Sequence, residues 1–357
     1  MIKNILKEYP LFVSIITLAL MVPLEHILSG SFVGNLIGFI AIFLVIIYSA
    51  LNVSHHAEVL AHKYGNPYGT LILTISAVLV EIVIIVIMMK HSHNPTLARD
   101  TIYSAIMLDI NGLLGLSAII GGIKYGEQAY NIDSTNSYMS MILVSLGAAM
   151  ILPHFIDPSK LDIYYNFTIV MFIILYIIFT RVQLKEHRYF FVYKDKNSNE
   201  EDHENIKNIN GVYHAVILVI SIVLIGVLSE ILSLFMENSL KSLGLPLVLG
   251  AFSVAVISAA PELITAVKSA LDDDMQTVVN IAIGASLATV LLTIPAVLIV
   301  TKTLGMQIDL ALTPIQGTML GLTILAGLIH FNDGETNVLE GFVNFVLFII
   351  FFFLMFI

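Results

Sequence analysis

Two glutamates, Glu81 and Glu262, lie near the middle of long apolar stretches, "YGTLILTISAVLVEIVIIVIMM" and "GAFSVAVISAAPELITAVKSALDDD". A charged side chain at the centre of a membrane helix costs about 2.5–3.5 kcal/mol on insertion-derived scales, so each carboxylate must be neutralised or must carry a proton. No lysine or arginine lies at comparable depth. Two carboxylates without a fixed counter-charge have two inexpensive states: they bind a metal cation, or they take up protons under desolvation and mutual repulsion. Those states are the two loads of an exchanger. The plainer alternative is a protonated glutamate that donates a hydrogen bond between helices.

The elements that must position these groups follow from composition. The chain has 357 residues, 58% of them hydrophobic and 12% charged, with a mean hydropathy of +0.93, so the bilayer is its solvent. Apolar runs of about 20 residues recur from end to end. They predict an all-α membrane protein of eleven transmembrane helices, at 11–28, 33–62, 68–89, 100–122, 138–155, 162–184, 212–238, 246–270, 275–302, 312–330 and 338–357. A β-barrel would show shorter alternating segments, and these runs are continuous and rich in Leu, Ile and Val. The absence of cysteine removes disulfides and thiolate metal sites. Lys3 and Lys7 before the first run imitate a signal peptide, but no small-residue cleavage site follows, so the run is read as a retained helix.

The chain divides into helix 1 (1–31), a first five-helix repeat (32–192), an acidic cytoplasmic linker (193–211) and a second five-helix repeat (212–357). Five is odd, so duplicated units must be inverted relative to each other in the membrane. Glu58, a Gly65/Pro67 turn and Glu81 in the first unit recur as Glu230, Gly244 with Pro246, and Glu262 in the second. With the N-terminus inside, eleven basic residues (Lys3, Lys7, Lys63, Lys124, Arg181, Lys185, Arg188, Lys194, Lys196, Lys207 and Lys268) face the cytoplasm. Five (Lys90, Arg99, Lys160, Lys241 and Lys302) face outside. That bias favours a cytoplasmic N-terminus and, with eleven spans, an outside C-terminus.

Several residues could complete the site. Pro261 removes a backbone donor and frees a carbonyl around Ile257 and Ser258, a hard oxygen of the kind calcium or sodium prefers, although a packing kink would explain it equally. Asp109 and Asn111, and Ser286 and Thr289, fall on the helix after each glutamate, among small residues that let backbones approach. The hydroxyls could equally bond their own helix. Glu58 and Glu230, toward opposite faces, could draw cations into two vestibules or be solvated helix ends. His55, His56, Glu58 and His62 do not form H-E-x-x-H, so a proton relay or interfacial histidines explain them better than zinc. Asp272, Asp273 and Asp274 read as an acidic cluster complementing the dipole of helix 9. An intramembrane hydrolase would need a nucleophile and base or a metal motif, and none of the recognisable pairs is present, so the chain is read as a transporter and not an enzyme.

Together "AHKYGNPYGTLILTISAVLVE", "GGIKYGEQAYN", "PELITAV", "GASLATVLLTIP" and "NDGETNVLEG" resemble the cation/proton exchanger (CAX) branch of the calcium/cation antiporter superfamily, most closely its bacterial ChaA-type calcium and sodium/proton antiporters. The resemblance implies helix 1 outside two inverted repeats, Glu81 and Glu262 as the shared cation and proton sites, and a multi-pass protein of the bacterial inner membrane. The family pattern Gly-Asn-x-x-Glu is departed from at both glutamates, where this chain reads "AVLVE" and "SAAPE". An amide ligand for calcium is therefore missing, and Asp109 is the candidate replacement. The expectation is a secondary antiporter that exchanges cytoplasmic calcium, and also sodium or potassium, for protons. The alternatives are a monovalent cation/proton antiporter with little calcium activity and, more remotely, a cation channel. Its partners are the lipid bilayer, inorganic cations and protons. No cofactor and no nucleic acid are expected, and whether copies form a homo-oligomer is left open.

Overall fold

The computed structural model describes residues 8–65, 68–186 and 210–357. Lys3, Lys7, Pro67, Arg188, Lys194, Lys196, Lys207 and nearly all of the expected linker lie outside the described residues. The described residues form eleven apolar helices: α1 (Tyr9–Leu28), α2 (Phe32–Tyr64), α3 (Tyr68–Ser92), α4 (Leu97–Tyr125), α5 (Ile132–Phe155), α6 (Pro158–Leu184), α7 (Gly211–Leu243), α8 (Val248–Leu271), α9 (Met275–Thr303), α10 (Pro314–His330) and α11 (Val338–Leu354). Among the described residues the first nine are long and apolar enough to cross a membrane. The last two have 17 residues each, about 25 Å of helix, a little short of a 30 Å hydrocarbon core.

Polar residues at the ends set these limits. Ser31 accepts from the Gly34 N–H at 3.0 Å and starts α2, Asn210 accepts from the Tyr213 N–H to start α7, and Asp274 accepts from the Thr277 N–H to start α9. Thr313 and Gln316 form a reciprocal capping box ahead of α10, with Pro314 as the first helical residue. The start of α5 and the end of α7 differ most from the sequence expectation. Helix α5 begins at Ile132 rather than 138, because Asn131 caps it through the Ser134 N–H and polar Ser and Thr fill its first turns. Helix α7 runs to Leu243 rather than 238, stopping where Gly244 turns left-handed at φ 65°.

The helices gather into two compact units. The first comprises Met1–Leu97 and Lys196–Pro261, hence α1, α2, α3, α7 and the first part of α8. The second comprises Ala98–Asp195 and Glu262–Ile357, hence α4, α5, α6, the rest of α8 and α9 to α11. Each unit draws helices from both halves of the sequence. The proposed repeat boundaries and these units are thus different partitions of one chain.

In the first unit α2 and α7 pack along their length. Phe235 of α7, fully buried, lies over Gly38 of α2, where an added Cβ would come within 2.9 Å of the ring. Asn52 donates to Ser221 at 3.3 Å and Asn238 to Asn35 at 3.2 Å. In the second unit α4 and α11 cross backbone to backbone. A Cβ on Gly341 would sit 2.7 Å from the Ile119 nitrogen and 2.9 Å from the Gly115 oxygen. The strands β1 (Glu127–Ala129) and β2 (Glu335–Asn337) pair antiparallel, Gln128 opposite Thr336, and tie the end of α4 to the start of α11.

Candidate cation site

In the first unit, Glu81 is 3% exposed on α3, beside Val80, Ile84 and Ile85, which are also buried. Helix α7 approaches α3 closely at Gly226, where a Cβ would meet Val83 at 2.9 Å and Ile87 at 3.0 Å. A glycine at that point lets the helix carrying the glutamate lie against its neighbour. The Ser258 hydroxyl donates to the Ala255 carbonyl of its own helix at 3.0 Å, so its hydrogen goes to the backbone. Glu58 is exposed. Glu230 is 62% exposed and lies 3.9 Å from His91 Nδ1, a solvated contact of small energetic weight.

In the second unit, Glu262 is half-buried and follows Pro261 within the continuous helix α8. Asp109 of α4 is 3% exposed, and its Oδ2 accepts from the Ser286 hydroxyl of α9 at 3.2 Å. This pair, expected from the sequence to serve one site, is brought together. Asn111 goes elsewhere: its amide donates to Thr323 Oγ1 of α10 at 2.7 Å, and its own oxygen, fully buried, has no hydrogen-bond partner among the described residues. Thr323 escaped the sequence reading, although a hydroxyl in the apolar run "GLTILAGL" was the available signal.

A second feature was not legible from residue types. Helix α4 widens into a π-helical turn over Leu108–Leu113, which contains Asp109 and Asn111, and α9 does so over Thr289–Thr293, starting at Thr289. Such turns insert an extra residue per turn and re-aim neighbouring side chains, and they concentrate at functional sites. They occur on the two helices that follow the two glutamates, where they hold Asp109, Asn111 and Thr289, and also over Gly147–Ile151 of α5 and Val182–Glu186 at the end of α6.

Polar braces hold α4 at both ends. At its start, Arg99 Nε donates to Asp100 Oδ1 at 2.9 Å and Nη1 donates to the Ala311 carbonyl at 3.1 Å, while Gln316 Nε2 donates to Asp100 at 2.9 Å. At its far end, Lys124 and Tyr125 donate to the Leu271 carbonyl, and Gln128 donates to Ala270 and Asp273. Asp274 caps α9, so two of the three clustered aspartates have local structural partners. Tyr130 donates to the His330 and Glu335 carbonyls, and burial, then the charges of Asp333, Glu340 and Glu335, push its hydroxyl well above the usual phenol range. It therefore stays a donor throughout the physiological range. Among the described residues no three His, Asp or Glu side chains are grouped to hold a metal ion.

The chain matches the family described as sodium/calcium exchanger protein over residues 34–185 and 213–357. It is 30% identical to the sodium-potassium/proton antiporter ChaA of Escherichia coli, over 85% of this chain and 84% of that one. It is 25% identical to the Ca(2+)/H(+) antiporter ChaA of Bacillus subtilis, over 64% and 66%. Its fold resembles the solved structure of native YfkE, with a TM-score of 0.73 at 19% identity and coverage of 96% and 99%. The chain belongs to the sodium/calcium exchanger protein family, in its cation/proton exchanger branch.

Proposed function

We propose that the protein is a secondary antiporter that exchanges cytoplasmic calcium, and also sodium or potassium, for protons. The observation that carries this reading is the depth of Glu81, buried on an apolar helix whose first basic residue is Lys90 at its far end. A carboxylate in that setting is stable with a bound cation or with a proton. Glu262, its counterpart in the second half, would share the two loads. Each glutamate binds the cation in one half-cycle and a proton in the other, and competition for the same oxygens couples the fluxes. Alternating access follows from rocking of the repeats about the site. The charge bias of the loops supports a cytoplasmic N-terminus and an outside C-terminus in a bacterial inner membrane.

The test is proton movement in sealed vesicles holding the purified protein, with an acidic interior and calcium, sodium, potassium or magnesium added outside. Calcium-driven dissipation of the gradient is the expected result. A second reading, monovalent exchange alone, is favoured by the missing asparagines at "AVLVE" and "SAAPE". It takes over if only sodium or potassium dissipates the gradient. Flux without counter-movement of protons would point to a channel instead.

Asp109 is proposed as the oxygen that stands in for the missing amides. Asp109→Asn keeps an acceptor for Ser286 and removes the ionisable charge. The half-saturating cation concentration should rise about tenfold, the ~1.4 kcal/mol of one charge-assisted contact, and the pH dependence should move with it. Unchanged cation affinity and pH dependence would remove Asp109 from the ligand set.

A further inference from the structure

Helix α1 belongs to neither repeat, yet it is fastened to both by a chain of polar side chains in the first unit. Glu8, the residue before α1, accepts from the Tyr213 hydroxyl of α7 through Oε1, and its Oε2 lies 3.1 Å from His56 Nε2 of α2. The other nitrogen of His56, Nδ1, lies 2.8 Å from His214 Nδ1 of α7. His56 is 1% exposed and Glu8 13%. The His56 and His214 rings are 4.9 Å apart, and Tyr213 stands edge-on to both. The transport reading has no use for any of the four.

The proton count of this chain is constrained by geometry. With Glu8 ionised, its two oxygens accept from Tyr213 and from His56 Nε2–H. His56 Nδ1 is then an acceptor and must receive its hydrogen from His214 Nδ1–H. One further proton can be accommodated without movement, since either ring can carry it while a single hydrogen remains between the two Nδ1 atoms. Its charge would lie next to the Glu8 carboxylate. A second added proton sets two N–H groups face to face at 2.8 Å, a contact that cannot persist. Among the described residues, other titratable groups at this end include His55, whose ring is 5.5 Å from that of His56, Lys63 and Tyr64, which lie over Gly211 at the start of α7, and Glu58 and His62 farther along α2. Lys63 adds positive charge near His214, which makes double protonation of the pair still less favourable.

We propose that Glu8, His56, His214 and Tyr213 form a proton-binding latch, distinct from the transport carboxylates, that fastens α1 to α2 and α7 and is opened by acid. On the topology proposed above it faces the cytoplasm. The charge of a histidine ordinarily changes near pH 6.5, and the second proton here meets the N–H contact just described, so the latch opens on the acid side of that value. Its control of transport rests on the antiporter reading, whereas its proton binding does not. A cation exporter that imports protons would be restrained by such a device when the cytoplasm is already acidic.

The test has two arms. Melting temperatures of the purified protein between pH 7.5 and 5.5 are compared for wild type, His214→Gln and Glu8→Gln. The glutamine at 214 keeps an N–H for His56 Nδ1 and loses the titration, so it should melt within about 2 °C of wild type at pH 7.5. On acidification wild type should lose roughly 4 °C more than this variant. Glu8→Gln, which removes the charge that steadies the first proton, should lose its stability at a higher pH than wild type. Parallel curves for all three proteins overturn the latch. In the second arm, cation-driven proton movement is recorded in inside-out vesicles as the pH of the cytoplasmic face is lowered. Wild type should lose about tenfold in rate and His214→Gln less than about twofold. Diverging melting curves with identical rate profiles overturn the link to transport. If no cation drives proton movement in any of the proteins, the antiporter reading falls while the melting result still judges the latch.

Discussion

Glu262→Gln is expected to abolish cation-driven proton movement, by at least about a hundredfold or ~2.7 kcal/mol, while the protein remains folded. The amide has the carboxylate's shape, but it neither supplies charge to a cation nor exchanges a proton, so both half-cycles fail together. Replacing a half-buried ionisable group by a neutral isostere should leave the melting temperature equal or higher, because no charge need be desolvated. Glu81→Gln, at a more deeply buried position, should behave in the same way. Normal exchange by folded Glu262→Gln protein would remove the central claim about the site.

The second large effect concerns the fold. Gly341→Val should lower the melting temperature by roughly 6–12 °C, from an overpacking cost of about 3 kcal/mol, or prevent recovery of monodisperse protein. The added atoms would meet the backbone of α4 at Ile119 and Gly115, and neither a nitrogen nor a carbonyl held in a helix can swing aside. The two helices would have to separate, which would loosen α4 with its π turn and Asp109. Gly317→Ala and Gly321→Ala on α10 are the controls. Nothing lies within 4 Å of an added Cβ at either position, so both should melt at or slightly above the wild-type temperature. Equal losses at positions 341 and 317 would mean that glycine content, and not the crossing, is what matters.

The helices were readable because apolar length and polar punctuation are local properties. Glu81 stood out because an acid within "AVLVEIVII" has no soluble explanation, and the structure does bury it. The start of α5 was missed because "NIDSTNSY" looks like a loop to a hydropathy scan, although Asn131 is a good cap. The π turns of α4 and α9 were not readable, since an extra residue per turn is favoured by packing against other helices and leaves no mark on composition. The three-residue strands β1 and β2 have no periodicity of their own and exist through their pairing. The partners of Asn111 and His56 were hidden for a similar reason: Thr323 is 212 residues away and His214 is 158. A sequence window shows that a buried polar group needs a partner, but not which helix supplies it.

Those separations also set a schedule. The hydrogen bonds from Asn111 to Thr323 and from Arg99 to the Ala311 carbonyl each join residues 212 positions apart. At roughly 5–20 residues per second, the ribosome needs about 10–40 s after making α4 before it has made α10, and α11 comes later still. Throughout that interval a helix carrying Asp109 and Asn111 is in or beside the bilayer without the helices that later cover it. The nascent protein therefore depends on whatever shelters α4 during synthesis, and a chain cut short before α10 leaves Asn111 without the hydroxyl it donates to in the finished fold.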